Sequence, residues 1–231
     1  MHDRVKACSL GFDVYGTLVE PLALAEPLRA LVGEQAVQFA GLWRTKQLEY
    51  SFRRGLMRRY VDFDVCTQQA LQYAQKALKC ELPESDQARL LDAYLHLPAF
   101  SEVAGALKAL KVQGHRLVAF SNGVEGSIRS LLGNVRLLSH LEDVVSVDDL
   151  RTFKPDPEVY AYLARRTGRP LAETWLVSSN AWDVIGAKMT GLRAVWVKRQ
   201  ADALFDPWDV EPDLIVNRLD ELPVWFANRT T

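Results

Sequence analysis

The stretch Gly11-Phe12-Asp13-Val14-Tyr15-Gly16-Thr17-Leu18 decides how the rest of the chain is read. Ahead of it, Val5, Ala7, Cys8 and Leu10 are apolar and too few for a capped helix, the pattern of a central strand in a parallel sheet. The strand then stops on a carboxylate and a glycine turn. Asp13 therefore falls at the strand's C-terminal end, the edge where open α/β sheets bind ligands. An Asp there can also simply close a turn and cap the next element, but Gly16 and Thr17 beside it favour a chemical role.

Outward from this point the chain changes character. From Pro21 to about Leu97 there is almost no β signal, and apolar residues recur at helical spacing: Leu24, Leu28 and Leu31; Phe39, Leu42 and Trp43; Leu71, Ala74 and Leu78; Leu90, Leu91, Tyr94 and Leu95. The pattern predicts an insertion of about four helices, with Gly33, Gly55, Pro83 and Pro98 at turns and Glu84-Ser85-Asp86 opening a helix. After Pro98 helix and strand alternate. A helix over 101–113 precedes a strand at 117–120, a helix near 126–132, a strand at 144–147 and a helix around 157–166. Strands follow at 175–177, 194–197 and 214–216. Alternation at this interval means βαβ units, hence an α/β fold with a parallel sheet and helices on both faces. The core is then residues 1–18 and 99–231, with 19–98 inserted after the first strand.

Composition narrows the class of protein. A chain of 231 residues exceeds the usual single core, which fits a large domain carrying an insertion. A formal net charge of -1, with both signs spread along the chain, provides no footprint for nucleic acid. Cys8, Cys66 and Cys80 are odd in number and lack metal-ligand spacing, which suits core packing in a reducing compartment. Asp3, Arg4 and Lys6 interrupt any leader-like start, and no apolar run approaches a membrane span. A cytoplasmic protein is expected.

Three more polar clusters end strands on the edge that carries Asp13. They are Ser121-Asn122-Gly123, the lysine of Phe153-Lys154-Pro155-Asp156-Pro157-Glu158-Val159-Tyr160, and Ser178-Ser179-Asn180-Ala181-Trp182-Asp183. Hydroxyls and amides can donate there, glycine admits a close ligand, and a lysine fixed before proline can neutralise a neighbouring carboxylate. Within the insertion, Leu42-Trp43-Arg44-Thr45-Lys46-Gln47-Leu48-Glu49-Tyr50-Ser51 places Arg44 beside an apolar stripe of Trp43 and Leu48. Helix composition alone makes Arg44 a solvated surface residue; the strand-end clusters favour a guanidinium pointing into a cleft.

In their order and spacing these motifs resemble the haloacid dehalogenase superfamily, and within it the type II 2-haloacid dehalogenases. The resemblance covers nearly the whole chain and implies a Rossmann-like core with a four-helix cap domain. Most superfamily members are magnesium-dependent phosphatases, which carry a second Asp two residues after the nucleophile and commonly a Gly-Asp-Ser-x-x-Asp motif. This chain has Tyr15 and Ser179 at those places, which removes the leaving-group proton donor and one magnesium ligand. No metal and no cofactor are expected.

The resemblance implies hydrolytic dehalogenation of short 2-haloacids. Asp13 would attack C2 with inversion, and water would then open the aspartyl ester. Lys154 and Thr17 would orient Asp13, while Asp183 with Ser178 and Asn180 would position the water. Arg44, Asn122 and Trp182 would cradle the halide. Ser121 and the backbone N–H groups of Val14 and Tyr15 would hold the substrate carboxylate. Tyr15, Leu48, Phe63, Tyr160 and Trp182 would line the alkyl group, with ordinary packing in the insertion an equal alternative for Leu48 and Phe63. Relatives are often homodimers, which an apolar helix pair in residues 34–80 would allow, and favour the (S) enantiomer, yielding (R)-2-hydroxy acids.

Two departures stand out. Thr45 replaces a common Gln and could alter substrate size or halide preference, and Gly11 precedes Phe12 where a side chain is usual, a matter of packing. A phosphatase with an unusual metal site and a catalytically retired binding module are the alternatives. Fluoroacetate is conceivable as a substrate if the halide pocket is small.

Overall fold

The computed structural model describes residues 7–228. Val5, Asp3, Arg4 and Lys6 lie outside the described residues, so the readings placed on them have no structural counterpart. Six strands, β1 (Ser9–Phe12), β2 (Arg116–Ser121), β3 (Asp143–Ser146), β4 (Thr174–Ser178), β5 (Arg193–Val197) and β6 (Leu214–Val216), form one parallel sheet in the order β3-β2-β1-β4-β5-β6. The ladder begins at Ser9, opposite Arg116 and Thr174, so Ala7 and Cys8 lead into β1 without joining it. β1 sits between β2 and β4. The order reverses there, and the crevice that a reversal opens at the strands' C-terminal ends is where Asp13 stands.

Side chains alternate across the sheet as a two-residue period requires. Leu10 and Phe12 of β1, Leu117 and Ala119 of β2, and Trp175 and Val177 of β4 belong to one apolar cluster, which continues into the helical insertion. Val118, Phe120, Leu176, Ala194 and Trp196 point the other way, into a second cluster with Val159, Tyr160 and Leu163. Gly11 faces that second cluster. A Cβ there would lie 2.6 Å from a Leu163 methyl, so the missing side chain is compensated by Leu163.

The insertion contains α1 (Ala25–Val32), α2 (Ala36–Leu56), α3 (Phe63–Leu78) and α4 (Glu84–Ala93). Its periodic residues supply the buried faces, Leu28, Phe39, Trp43, Leu71, Ala74 and Leu90 among them. The chain leaves and re-enters at one place. Val19 bridges Ala99, the Glu20 N–H donates to the Pro98 carbonyl at 2.9 Å, and the Phe100 N–H donates to the Leu18 carbonyl at 3.1 Å. Gly55, expected at a turn, lies inside the last turn of α2, close to Thr152 and Phe153. Cys66 is buried, while Cys8 and Cys80 are only half-buried against the apolar cluster.

The remaining helices are α5 (Val103–Val112), α6 (Glu125–Asn134), α7 (Pro157–Thr167), α8 (Ala181–Met189) and α9 (Glu221–Ala227). The sequence reading does not anticipate α8 and α9. Both are short, α8 begins inside a polar cluster and contains Gly186, and α9 carries Pro223, so their periodicity is weak. Among the described residues, no helix is long and apolar enough to cross a membrane.

Candidate active site

Four chain segments converge at the crevice. The turn after β1 is tight because Gly16 adopts a φ of 91°, which side-chain-bearing residues rarely reach. The Val14 carbonyl accepts from the N–H groups of Thr17, Leu18 and Val19, leaving Asp13 at the bend. Its carboxylate is nearly covered, and each oxygen accepts at least one hydrogen bond. The Thr17 hydroxyl and the Asn180 amide each donate to Oδ2 at 2.9 Å, and Lys154 Nζ donates to Oδ1 at 3.1 Å.

Lys154 is itself 1 % exposed, so its ammonium must be paired. It also donates to Asp183 Oδ2 and to the Phe120 carbonyl, each at 2.9 Å, and lies over the Phe120 ring. The lysine therefore bridges two carboxylates. Asn122 fixes it from behind, its Oδ1 accepting the Lys154 backbone N–H at 2.9 Å. Burial pushes Asp183 above the ordinary carboxylate range, with Asp13 adding to the rise; the Lys154 ammonium opposes both. A raised carboxylate is a stronger base once ionised.

Tyr160 is placed differently from the substrate-wall residue expected of it. It is wholly buried in the second apolar cluster, its ring 5.9 Å from that of Phe120, and its hydroxyl donates to Asp183 Oδ1 at 2.8 Å. Burial, together with Asp183, holds that hydroxyl well above its ordinary pKa, so it stays a donor. Gly186 makes room: a Cβ there would lie 2.5 Å from the tyrosine oxygen. The motif locates Tyr160 on α7 but does not say which side of the sheet α7 covers.

The insertion contributes Arg44 from α2. Its Nη2 lies 3.4 Å from the Tyr15 carbonyl, an oxygen the Asn180 amide also approaches at 3.4 Å. Phe63 stands 6.0 Å from Tyr15, ring to ring, and Leu48 is half-buried on α2. Trp182, in the first turn of α8, packs edge-on against Phe52 of α2 at 4.9 Å, so this indole touches the insertion directly. Thr45, next to Arg44 on α2, is exposed.

Ser178 and Ser121 act on backbone. Ser178 Oγ accepts the Asn180 N–H at 3.2 Å, and Ser121 Oγ accepts the Gly123 N–H at 3.1 Å. Among the described residues, no hydrogen bond takes up the N–H of Val14 or of Tyr15. Sequence reasoning missed Gln47, Thr67, Phe52, Arg199 and the Phe120 carbonyl. Gln47 alone carried a signal, three residues from Arg44 on one helix face.

A cleft of about 310 Å³ lies beside the buried cluster, lined by Tyr15, Arg44, Ser179, Asn180, Lys198 and Arg199 among others, and reaches Asp13 only through its partner Asn180 and the neighbouring turn. A larger groove of about 1080 Å³ between α3 and α4 holds none of the groups above. Among the described residues, no three His, Cys, Asp or Glu side chains gather as a metal-binding group. Asp13 and Asp183 already share one ammonium, so the arrangement suits a carboxylate nucleophile held in place beside a basic carboxylate, with an arginine facing the open side.

Residues 10–191 match the model of a family described as haloacid dehalogenase-like hydrolase. The (S)-2-haloacid dehalogenase of Pseudomonas fluorescens is 37 % identical over 217 residues, covering 94 % of this chain and 95 % of that protein. Haloacetate dehalogenase H-2 of Moraxella sp. (strain B) is 36 % identical over 93 % of this chain and 95 % of its own. The structure of the L-2-haloacid dehalogenase of Xanthobacter autotrophicus with chloropropionic acid covalently bound superposes with a TM-score of 0.89. It is 30 % identical and covers 97 % of this chain and 100 % of that one.

Proposed function

The chain belongs to the haloacid dehalogenase-like hydrolases, and within that family we propose that it is a cytoplasmic (S)-2-haloacid dehalogenase using Asp13 as nucleophile. The observation that carries the reading is the Asp13 carboxylate held by Lys154, Thr17 and Asn180, with Tyr15 and Ser179 standing where phosphatase chemistry needs carboxylates.

Asp13 attacks C2 of the substrate from behind the carbon–halogen bond. That bond breaks with its electron pair going to the halide, and C2 inverts. The substrate carboxylate takes the N–H groups of Val14 and Tyr15 and the Ser121 hydroxyl. The halide departs toward Arg44, the Asn122 amide and the Trp182 ring edge, where positive charge meets charge developing in the transition state. Water then adds to the ester carbonyl carbon of Asp13 and yields its proton to Asp183, whose orientation Lys154 and Tyr160 hold. Asn180 stays on the Asp13 carboxyl throughout. The carbonyl re-forms as its bond to the substrate oxygen breaks, Asp183 hands its proton to that departing alkoxide, and the 2-hydroxy acid leaves; the new Asp13 carboxyl gives up its remaining proton to solvent and is a carboxylate again.

Residues 19–98 act as a cap domain that brings Arg44 over the site and excludes water when closed. A homodimer formed through residues 34–80 belongs to the same proposal; Val37, Leu56, Met57 and Tyr73 are exposed there, and light scattering tests it.

The test of function is halide release from chloroacetate and from each enantiomer of 2-chloropropanoate in EDTA, by wild type and Asp13→Asn. Release that survives chelation, prefers the (S) enantiomer and disappears in Asp13→Asn is expected. Absence of halide, with magnesium-dependent phosphate release from small phosphate esters, replaces this reading with the phosphatase one.

A further inference from the structure

Gln47 is a wholly buried amide in α2, and a buried amide is costly unless both ends are bonded. Both are. Its Oε1 accepts from Arg44 Nη1 at 2.6 Å, and its Nε2 donates to Thr67 Oγ1 at 2.6 Å. Thr67, on α3 and itself buried, donates its only hydroxyl hydrogen to the Phe63 carbonyl at 2.9 Å, four residues back. The direction of the whole chain of bonds is thereby set. Because the Thr67 hydrogen is committed to Phe63, its oxygen must accept, so Gln47 presents NH₂ to Thr67 and its carbonyl to Arg44. The same threonine's backbone carbonyl accepts from Trp43 Nε1 at 2.9 Å, which pins α2 to α3 at this level.

Among the described residues, Arg44 has no carboxylate within ion-pair distance. Its guanidinium is held by a neutral acceptor on one side and approaches the Tyr15 carbonyl and ring on the other. A carboxylate at position 47 would hold the arginine equally well and cancel its charge. A neutral amide holds it and leaves the charge available.

We infer that Gln47 and Thr67 are positioning residues for the anion-stabilising arginine, a neutral hydrogen-bond relay that fixes the Arg44 guanidinium over the site without neutralising it. This rests on the dehalogenase reading of Arg44. The relay does not touch substrate, so its effect should track the charge developing on the leaving group. A better leaving group needs less help from Arg44 than a poorer one.

The experiment compares wild type, Thr67→Val, Thr67→Ser and Gln47→Leu. It measures kcat and KM for (S)-2-chloropropanoate and (S)-2-bromopropanoate, together with the line width of the Arg44 Nε–Hε NMR signal. Thr67→Val and Gln47→Leu are expected to lower kcat for the chloride about tenfold and for the bromide distinctly less, while the Arg44 signal reports increased motion. Thr67→Ser is expected to keep wild-type rates and an ordered signal. Equal losses for both halogens, or an Arg44 signal unchanged in Thr67→Val and Gln47→Leu, would overturn the relay. A wild type that orders Arg44 but releases no halide would instead break the functional reading, and the NMR comparison would still decide the relay.

Discussion

Lys154 and Arg44 come from opposite halves of the molecule and are held by opposite means: Lys154 is buried beside Asp13, whereas Arg44 lines the cleft. Lys154, from the sheet edge, is buried and bonded to Asp13, Asp183 and a carbonyl, so its charge is answered within the protein. Arg44, from the inserted helices, is half-buried and held by an amide and a carbonyl. The difference separates two tasks that one cation could not perform together. On the proposed reading, a charge compensated by the fold aims the nucleophile, whereas only an uncompensated one can stabilise an anion that appears during reaction.

The comparison breaks most visibly at Lys154. Lys154→Met removes the ammonium between two buried carboxylates, leaving Asp183 uncompensated and its pKa raised further. The expected result is loss of measurable halide release together with about 3–5 kcal/mol of stability, read by urea denaturation. A variant as stable as wild type would mean the ion cluster is not part of what holds the sheet edge together.

Arg44→Lys keeps a positive charge but loses the planar fork that reaches Gln47 and the cleft at once. Its kcat should fall on the order of 100-fold, with the urea midpoint close to that of wild type. If its stability fell as far as that of Lys154→Met, Arg44 would have to count as a structural cation, and the division of labour between the two halves would fail.

Legibility in the sequence divides along the same line. Asp13 directly follows β1, Asn180 and Asp183 follow β4, and Lys154 lies in the loop between β3 and α7; a parallel sheet brings the connections after its strands to one edge, so knowing the strands already gathers them there. The structure does place them within hydrogen-bonding reach of one another. Neutral residues inside helices carry no comparable signal. Thr67 reads as an ordinary polar position, and the spacing of Gln47 from Arg44 does not reveal its other partner, because only the packing of α2 on α3 shows that the two face each other and not water. Tyr160 has a legible motif, but the face of the sheet that α7 covers is not legible, and so the sequence alone puts its ring on the substrate. Carbonyls such as that of Phe120 are invisible in any sequence, since every residue has one.

A third cation lies between the two cases and gives the smallest effect. Arg199 donates to the Thr17 carbonyl at 2.5 Å and pairs with Glu102, bracing the turn that carries Asp13 from a position near the cleft rim. Burial raises the Glu102 pKa, but the hydrogen bond from Arg199 and backbone N–H donors outweigh it, so the net shift is below the ordinary value of 4.5. A carboxyl lowered on folding contributes stability that is complete above its unfolded pKa and lost as pH falls through its folded one. Wild type should therefore be more stable than Glu102→Gln near neutral pH by about 1 kcal/mol or less, with the gap closing as the pH drops below the ordinary glutamate range. Urea midpoints measured across that range test this. Parallel profiles for the two proteins would show that the pair contributes no titrating stability. Arg199 would then resemble Arg44, its bond to the Thr17 carbonyl mattering more than its carboxylate.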